Sequence, residues 1–323
     1  MTCRRTRISA PARLHFGLLS FGNPKVKPYG GIGLMVSRPA TVLTVEPCSK
    51  FTAEGMQSER VQKFASGWQQ RRGLPMPQCT IRVESVAPQH VGLGSGTQLA
   101  MSVATALHCA SELPLPTASE LSRSVGRGHR SCIGSHGFFE GGLLFEMGRE
   151  SDEAFAEIEA RVELPDDWRV VQLRPRQQAG LSGHNELIAF DKLPAVPAEA
   201  TTALLNEIRE NILPAAWGGN FSEFSESVYR YGVLAGECFS QVQGGPFANQ
   251  TLASWVQDIR GYGIAGVGQS SWGPSLFVLQ ESEEAAQDFV QWFHDEISPA
   301  SESHSTISTI SNRGVEISVV PSD

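Results

Sequence analysis

Residues 87–100 read APQHVGLGSGTQLA, and this stretch decides the fold. A strand-like run over residues 80–86 leads into three closely spaced glycines, and a helix follows at once. Glycine permits backbone turns that a Cβ forbids, so several N–H groups can face one point at the helix N-terminus, where the helix dipole favours an anion. The pattern predicts a phosphate-binding loop that consists of Gly92, Leu93, Gly94, Ser95, Gly96 and Thr97. An ordinary glycine-rich turn is the alternative interpretation.

The helix after this loop is marked by an apolar stripe. Leu99, Val103 and Leu107 recur at four-residue spacing, which is typical of a helix face packed on a core. Ser95 or Thr97 can cap the first turn. The loop matches neither common phosphate fingerprint. A Walker A loop has Gly-Lys-Ser or Gly-Lys-Thr where this chain has Gly-Thr-Gln, and a dinucleotide-binding fold carries its glycines near the first strand, not about ninety residues into the chain.

Composition limits the class of protein. The length of 323 residues favours two domains. The net charge of −8 and the pI near 5.6 disfavour a nucleic-acid partner. No run approaches the roughly twenty apolar residues of a membrane span, and no apolar segment of a signal peptide follows the N-terminal arginines. We therefore expect a cytoplasmic protein without a membrane partner. The six cysteines are scattered, with no Cys-x-x-Cys pair, which disfavours structural zinc and a disulfide framework.

Residue patterns predict a mixed α+β chain in two domains. The first half is predicted to contain strands over 5–17, 40–46 and 80–86, a helix over 59–71, a glycine turn over 30–33, a capping box at 117–120 and paired strands over 138–147 around Gly141 and Gly142. An acidic stretch over 147–165 marks the boundary between a domain over residues 1–160 and a second over 161–323.

The second half is predicted to be richer in helix. Its predicted elements are helices over 201–212, 221–240, 248–260 and 282–296 and strands over 168–173, 276–279, 305–310 and 315–320. In the last strand Val315, Ile317 and Val319 alternate with polar residues, which predicts one solvent-facing side. Strands and helices that mix without strict βαβ repetition indicate an α+β fold.

Three motifs occur in one order along the chain: APARLHFG at 10–17, PQHVGLGSGT at 88–97 and GIAGVGQSSWGP at 263–274. In this order they resemble the GHMP kinase superfamily of small-molecule kinases. The sequences of these motifs, together with YGGIGL at 29–34 and GLSG at 180–183, are similar to those of one branch, the β-ribofuranosylaminobenzene 5′-phosphate synthases. The resemblance implies a ribosomal-protein-S5-like N-terminal domain and a ferredoxin-like C-terminal domain.

The resemblance also implies a reaction. Phosphoribosyl pyrophosphate would be joined to 4-aminobenzoate or 4-hydroxybenzoate with loss of CO₂ and pyrophosphate, early in tetrahydromethanopterin synthesis. Mg²⁺ is the expected cofactor, no organic cofactor is expected, and this branch suggests a homodimer. Many superfamily kinases carry an aspartate where this chain has Gly134, and a second loop serine where it has Gly96. The pattern favours holding a pyrophosphate over moving a γ-phosphoryl group, although an ATP-dependent small-molecule kinase remains the alternative, because phosphoryl transfer rests mostly on positioning and charge.

The motif matches select the candidate site residues. Catalytic candidates are Arg13, His15, Ser182 and Glu186, and Gln269 and Ser270 join the loop in binding phosphate. Arg130, His136 and Arg174 are candidates for substrate binding, since arginine suits bidentate anion recognition. The sequence does not identify the metal ligands. Glu140 and Glu146 flank the predicted glycine turn and as a pair could hold Mg²⁺, while solvated strand faces are the alternative.

Overall fold

The computed structural model describes residues 5–151, 154–176, 190 and 192–320. The candidates Ser182 and Glu186 lie outside the described residues. The strands, in chain order, are β1 (Thr6–Ser20), β2 (Tyr29–Pro47), β3 (Thr52–Gly55), β4 (Cys79–Ser85), β5 (Leu143–Glu146), β6 (Ile158–Val162), β7 (Arg169–Pro175), β8 (Val267–Gln269), β9 (Leu276–Gln280), β10 (Ser303–Thr309) and β11 (Glu316–Val319).

The helices pack on these strands. In chain order they are α1 (Ser58–Arg72), α2 (Ser95–Ala110), α3 (Ala118–Ser124), α4 (Ile133–Glu140), α5 (Ala198–Asn206), α6 (Leu213–Gly218), α7 (Phe221–Glu237), α8 (Ser240–Gln243), α9 (Gln250–Gly261) and α10 (Glu283–Trp292). A π-helical segment, Glu207–Ile212, joins α5 to α6, and another, Phe293–Ile297, follows α10. Within the described ranges, no helix has the length and apolar character needed to cross a bilayer.

The strands form two sheets. The first has the order β11-β1-β2-β4-β3, with β5 pairing β2 and β6, and the second has the order β10-β7-β9-β8. One core packs α1 and α2 on the first sheet, with Trp68, Leu99 and Val103 fully buried. A second core joins the two halves of the chain, because residues of β1 and β2 pack with residues of β7, β9 and α7. This core holds the end of β1 against the third motif, where the candidate site lies.

Most predicted elements are confirmed, and the α+β class with them. The helix predicted over 59–71 is α1, and the strand predicted over 168–173 is β7. The capping box is present, since the Thr117 hydroxyl accepts from the Glu120 amide and the Glu120 carboxylate accepts from the Thr117 amide. The predicted boundary at residue 160 falls within β6, and β11 pairs with β1.

Three local predictions are wrong. Gly30 to Gly33 lie inside β2 and not in a turn. The stretch 138–147 is not a strand pair: α4 ends at Glu140, Gly141 and Gly142 both have positive φ, and only the residues after them form β5. In β11, Ile317 and Val319 are 39% and 58% exposed, so neither side is buried. In each case the local alternation or glycine content predicts one conformation, and tertiary pairing imposes another.

Candidate functional site

The predicted phosphate loop is fixed from two directions by contacts distant in sequence. The Arg13 amide donates to the carbonyl of Leu93 at 3.1 Å, and the Ser270 hydroxyl donates to the carbonyl of Gly92 at 2.7 Å. A Cβ at Gly92 would stand 2.2 Å from the Ser270 carbonyl oxygen, and the φ of Gly92 is 84°. Only glycine permits both this backbone conformation and this close approach. The loop is therefore held between β1 and the third motif.

The N-terminus of α2 presents backbone donors. Its N-cap is Gly94 in the left-handed conformation, and no side chain caps the first turn, so the predicted cap by Ser95 or Thr97 is wrong. The Thr97 and Gln98 amides donate to the Gly94 carbonyl at 3.0 and 3.1 Å. The amides of Ser95 and Gly96 are left at the tip of the helix, where first-turn N–H groups lack intrahelical partners and the dipole favours an anion.

The third motif contacts the same end of β1. The buried Ser270 hydroxyl accepts from the His15 amide at 3.0 Å, and the Ser271 amide donates to the His15 carbonyl at 2.9 Å. The Gln269 side chain accepts from the Ala248 amide at 2.7 Å and donates to the Ser271 carbonyl at 3.0 Å, so it holds its own loop together. The structure thus brings the three motifs to one place, as their order along the chain predicted.

A cavity of about 480 Å³ opens between these elements. Two groups of side chains line it. The first, the cationic side, consists of Arg13 of β1, Thr97 in the first turn of α2 and Arg127 after α3. The second, the aromatic side, consists of Phe239 and Trp272. The rings of Phe239 and Trp272 meet edge to face, with centroids 4.9 Å apart. Among the described residues that line the cavity there is no aspartate or glutamate, so the cavity is positively charged in an acidic protein.

A buried polar network lies behind the cationic side. His15 Nε2 and the Ser131 hydroxyl are 3.1 Å apart, and Glu146 accepts from the Cys132 amide at 2.8 and 3.0 Å and from the Ser131 hydroxyl. Burial raises the pKa of Glu146 to about 7, although these hydrogen bonds and the nearby Arg13 and Arg149 charges oppose the rise. Glu146 is therefore a fully buried acid and not a residue on a solvated strand face.

The same network orients His15. Burial, and after it the charge of Arg13, lower the pKa of His15 well below its usual value, so the ring is neutral at neutral pH. When Ser131 donates its one hydrogen to ionised Glu146, its oxygen accepts from Nε2–H of His15. Because the one ring hydrogen of neutral His15 is then on Nε2, its Nδ1 atom is a hydrogen-bond acceptor, and His15 lines the cavity. We place Glu146 and Ser131 as residues that position His15.

The structure separates the three substrate-binding candidates. Arg130 lines the cavity and its guanidinium lies 4.9 Å from the ring centroid of Phe190, which packs against Trp272. His136 binds the Ala156 carbonyl at 2.8 Å and packs on Phe155, away from the cavity lining. Arg174 lines a different cavity, of about 190 Å³, between the two sheets. Of the three, Arg130 alone is brought to the main cavity.

Two contributors were missed from the sequence. Arg60 of α1 reaches the tip of α2, although the sequence indicated only that it belongs to the helix predicted over 59–71. Phe239 follows α7 and reads as an ordinary helix-end apolar residue. No spacing or motif linked either residue to the phosphate loop, because both reach it only through the packing of distant helices.

The described residues do not form a magnesium site on their own. They contain no group of three or more His, Cys, Asp or Glu side chains placed to hold a metal, and Glu140 bonds to His136 at 3.5 Å while Glu146 is enclosed. Mg²⁺ prefers carboxylate and phosphate oxygens and keeps several waters.

Comparison with known proteins agrees with this geometry. Residues 59–138 match the model of the GHMP kinases N-terminal domain. The homoserine kinase of Cytophaga hutchinsonii has the same fold, with a TM-score of 0.66 at 14% identity over 97% of each chain. A mevalonate diphosphate decarboxylase from Staphylococcus aureus has a TM-score of 0.67 at 14% identity over 97% of this chain and 98% of that one. The fold is the two-domain fold of the GHMP kinases, as the motifs predicted.

Curated relatives narrow the class. The chain is 28% identical to the β-ribofuranosylphenol 5′-phosphate synthase of Methanothermobacter thermautotrophicus over 85% of this chain and 89% of the relative. It is 27% identical to the synthase of the same name from Archaeoglobus fulgidus over 97% of this chain and 99% of the relative. Over most of its length the chain is therefore similar to this synthase family, whose members are pentosyltransferase enzymes, and residues 59–138 match the GHMP kinases N-terminal domain.

Proposed function

We propose that the chain joins phosphoribosyl pyrophosphate to 4-hydroxybenzoate or 4-aminobenzoate, with loss of CO₂ and pyrophosphate, early in tetrahydromethanopterin synthesis. The product is the β-ribofuranosyl hydroxybenzene or aminobenzene 5′-phosphate. One observation carries the proposal: a single cavity is lined by arginines at a helix N-terminus and by aromatic rings, with no described carboxylate among its lining residues. An anionic leaving group and an aromatic acceptor need these two surroundings side by side.

The cationic side suits the departure of pyrophosphate. As the bond between ribose C1 and the pyrophosphate oxygen breaks, negative charge grows on the leaving group, and preorganised donors that face it lower the barrier. Arg13 Nη1 bonds to the Gly92 carbonyl at 3.4 Å, so its guanidinium is held beside the loop amides. We assign Arg13 and the amides of Ser95 and Gly96 to this charge.

The aromatic side suits the acceptor. The ring carbon that bears the carboxylate attacks ribose C1, whose oxocarbenium character grows as pyrophosphate leaves. The bond to CO₂ then breaks, and its electron pair restores the aromatic ring, so no protein nucleophile is needed. Phe239 and Trp272 offer ring faces and edges to the benzoate, and Arg130 above Phe190 offers a cation for its carboxylate. Apolar walls also exclude water that would hydrolyse the oxocarbenium.

His15 has a supporting role in this scheme. Its neutral ring, fixed through Ser131 and Glu146, places an acceptor at Nδ1 without adding a positive charge beside the oxocarbenium. We propose that Mg²⁺ enters with the substrate, as the magnesium complex of phosphoribosyl pyrophosphate. Thr97, which lines the cavity, would lie within reach of that complex.

The ATP-dependent kinase is the competing function. A Cβ at Gly134 would lie 3.7 Å from Arg13 Nε and 3.8 Å from Thr97 Cγ2, so the aspartate of the superfamily kinases would stand inside this site. Glycine at this position places no acid there to activate an alcohol, which favours binding of pyrophosphate.

The proposed reaction is tested with an isotopic label in the carboxyl carbon of the benzoate. Purified protein with phosphoribosyl pyrophosphate, Mg²⁺ and carboxyl-labelled 4-hydroxybenzoate or 4-aminobenzoate should release labelled CO₂ and pyrophosphate in equal amounts. Arg13→Ala should lower kcat/KM by about 100-fold, as loss of a transition-state donor does. Arg82→Ala, an exposed arginine paired with Glu54, is the matched control and should leave the rate unchanged. Absence of labelled CO₂ with both acids, together with ATP consumption in the presence of an alcohol, would support the kinase instead.

A further inference from the structure

Two arginines from distant helices meet above Gly96. A Cβ built at Gly96 would lie 3.2 Å from Nη2 of Arg60 and 3.2 Å from Nη2 of Arg127. Both guanidinium groups also lie over the ring of Phe64, with their central carbons 5.5 and 5.4 Å from its centroid. Arg60 comes from α1 and Arg127 from the segment after α3, so the convergence is a product of the tertiary fold.

This arginine pair, Arg60 and Arg127, is electrostatically costly as it stands. Burial lowers the pKa of both arginines, and the charge of Arg60 lowers the pKa of Arg127 further. In the part of the chain that the structure describes, neither guanidinium has a carboxylate within 4 Å, and Nε of Arg127 is buried without a hydrogen-bond partner. Two half-buried cations at the positive end of a helix dipole repel one another unless an anion lies between them.

Gly96 provides the room for this pair. Its φ is not in the left-handed region, so the backbone does not require glycine there. A side chain there would press against both guanidinium ends and displace each of them by a few tenths of an ångström. The serine that superfamily kinases carry at this point would occupy the place where the arginines meet.

We propose that Arg60 and Arg127, with the amides at the tip of α2, bind the terminal phosphate of the pyrophosphate group. Arg13 and Arg127 line the cavity, and the guanidinium end of Arg60 lies as close to Gly96 as that of Arg127 does, although Arg60 is not among the lining residues. A diphosphate whose ester end lies at Arg13 reaches the arginine pair with its free end, which carries the greater negative charge. Each guanidinium can donate two parallel hydrogen bonds to a phosphate. This proposal rests on the proposed function, since it concerns the same substrate.

The test measures binding without turnover. Inorganic pyrophosphate and ribose 5-phosphate are titrated separately into the wild-type protein and into Arg60→Gln and Arg127→Gln, by calorimetry. We expect each substitution to weaken pyrophosphate binding about tenfold or more, as loss of a charged hydrogen bond does, and to change ribose 5-phosphate binding less than twofold. Lys63→Gln removes an exposed charge from the same helix and should leave both affinities unchanged.

Gly96→Ser keeps both arginines but places a side chain between them, so it should also weaken pyrophosphate binding. This variant tests the proposal even if an arginine variant does not fold. Unchanged pyrophosphate affinity in all three variants overturns the proposal. Selective loss of ribose 5-phosphate binding would assign the pair to the other phosphate of the substrate and overturn it too. If pyrophosphate binding falls as expected but labelled CO₂ is never released, the anion site stands and the proposed reaction fails.

Discussion

The two sides of the cavity are built in different ways. The cationic side rests on backbone contacts: strand β1, the loop at Gly92 and the third motif are joined by main-chain and serine hydrogen bonds between residues far apart in sequence. The aromatic side rests on side-chain packing, with Phe239, Trp272 and Phe190 meeting at centroid distances of 4.9 to 6.4 Å. The cationic side therefore offers rigid donors, which suit the leaving pyrophosphate of the proposed reaction, and the aromatic side offers adjustable rings, which suit the proposed benzoate.

This difference has a consequence for catalysis and specificity. Donors that need no reorganisation stabilise a developing charge most, so changes on the cationic side should act on the rate. Ring packing contributes modest energy that depends on fit, so changes on the aromatic side should act on the affinity for the acceptor. The variants below separate these two effects.

The largest expected effect comes from Gly134→Asp, which places a carboxylate beside Arg13 on the cationic side. The Cβ fits, since its nearest neighbours are 3.5 to 3.8 Å away, but the new charge competes with pyrophosphate for Arg13. We expect kcat/KM for phosphoribosyl pyrophosphate to fall about 100-fold, measured as pyrophosphate release.

Gly134→Asn, of the same size without the charge, is its control and should lose less than about tenfold. Equal losses in the two variants would attribute the effect to crowding and not to charge. Gain of ATP-dependent phosphorylation by Gly134→Asp would indicate that a kinase site is present and lacks only its acid.

The phosphate loop and Arg13 on the cationic side were predictable from sequence, whereas Arg127 was not a predicted site residue. Gly92 to Thr97 lie in one run, so a single helix start and its glycines carry most of the site. The order of the three motifs along the chain indicated one known fold, and the first and third motifs of that fold contain Arg13, His15 and Ser270. The prediction that the loop binds an anion therefore rests on residues that are adjacent in the chain or that belong to motifs in a known order.

The remaining residues could not be predicted for a physical reason. The sequence allows Glu146 to be either a partner of Glu140 in binding Mg²⁺ or a residue on a solvated strand face. The structure shows neither, because α4 ends at Glu140 and Glu146, at the end of β5, is fully buried. Arg60 and Phe239 reach the site only after α1 and α7 have packed. Burial and convergence of this kind are properties of the tertiary structure, and no short pattern encodes them.

A smaller effect is expected on the aromatic side, from Phe239→Leu. The substitution keeps an apolar side chain but removes the edge-to-face contact with Trp272, a contact of about 1 kcal/mol. We expect KM for the benzoate to rise roughly fivefold to tenfold, with KM for phosphoribosyl pyrophosphate within twofold of wild type. Steady-state kinetics with each substrate varied in turn measures both values.

Leu115→Ala, an exposed apolar residue before α3, is the control and should change neither KM. If Phe239→Leu raised KM for phosphoribosyl pyrophosphate instead, the assignment of the aromatic side to the benzoate would be wrong.

The smallest effect on turnover is expected from Glu146→Gln, because this residue acts through Ser131 and His15 and does not reach the cavity. The clearer readout is stability against pH. The folded-state pKa of about 7 lies above the usual 4.5, so the folded protein binds the proton more tightly than the unfolded chain does. The contribution of Glu146 to stability is thus fully present below about pH 4.5, falls as the pH rises toward 7 and is lost above it.

Glutamine does not titrate, and it keeps an oxygen that can accept from the Cys132 amide. Relative to this variant, the wild type should lose on the order of 1–3 kcal/mol of unfolding free energy between about pH 5 and about pH 8, measured by urea unfolding at several pH values. The rate at neutral pH should change only a few-fold, because the cationic side keeps its backbone donors. A parallel pH dependence in the two proteins would show that Glu146 is ionised throughout, and a loss of activity as large as that of Gly134→Asp would move this acid from a positioning role into the chemistry of the cationic side.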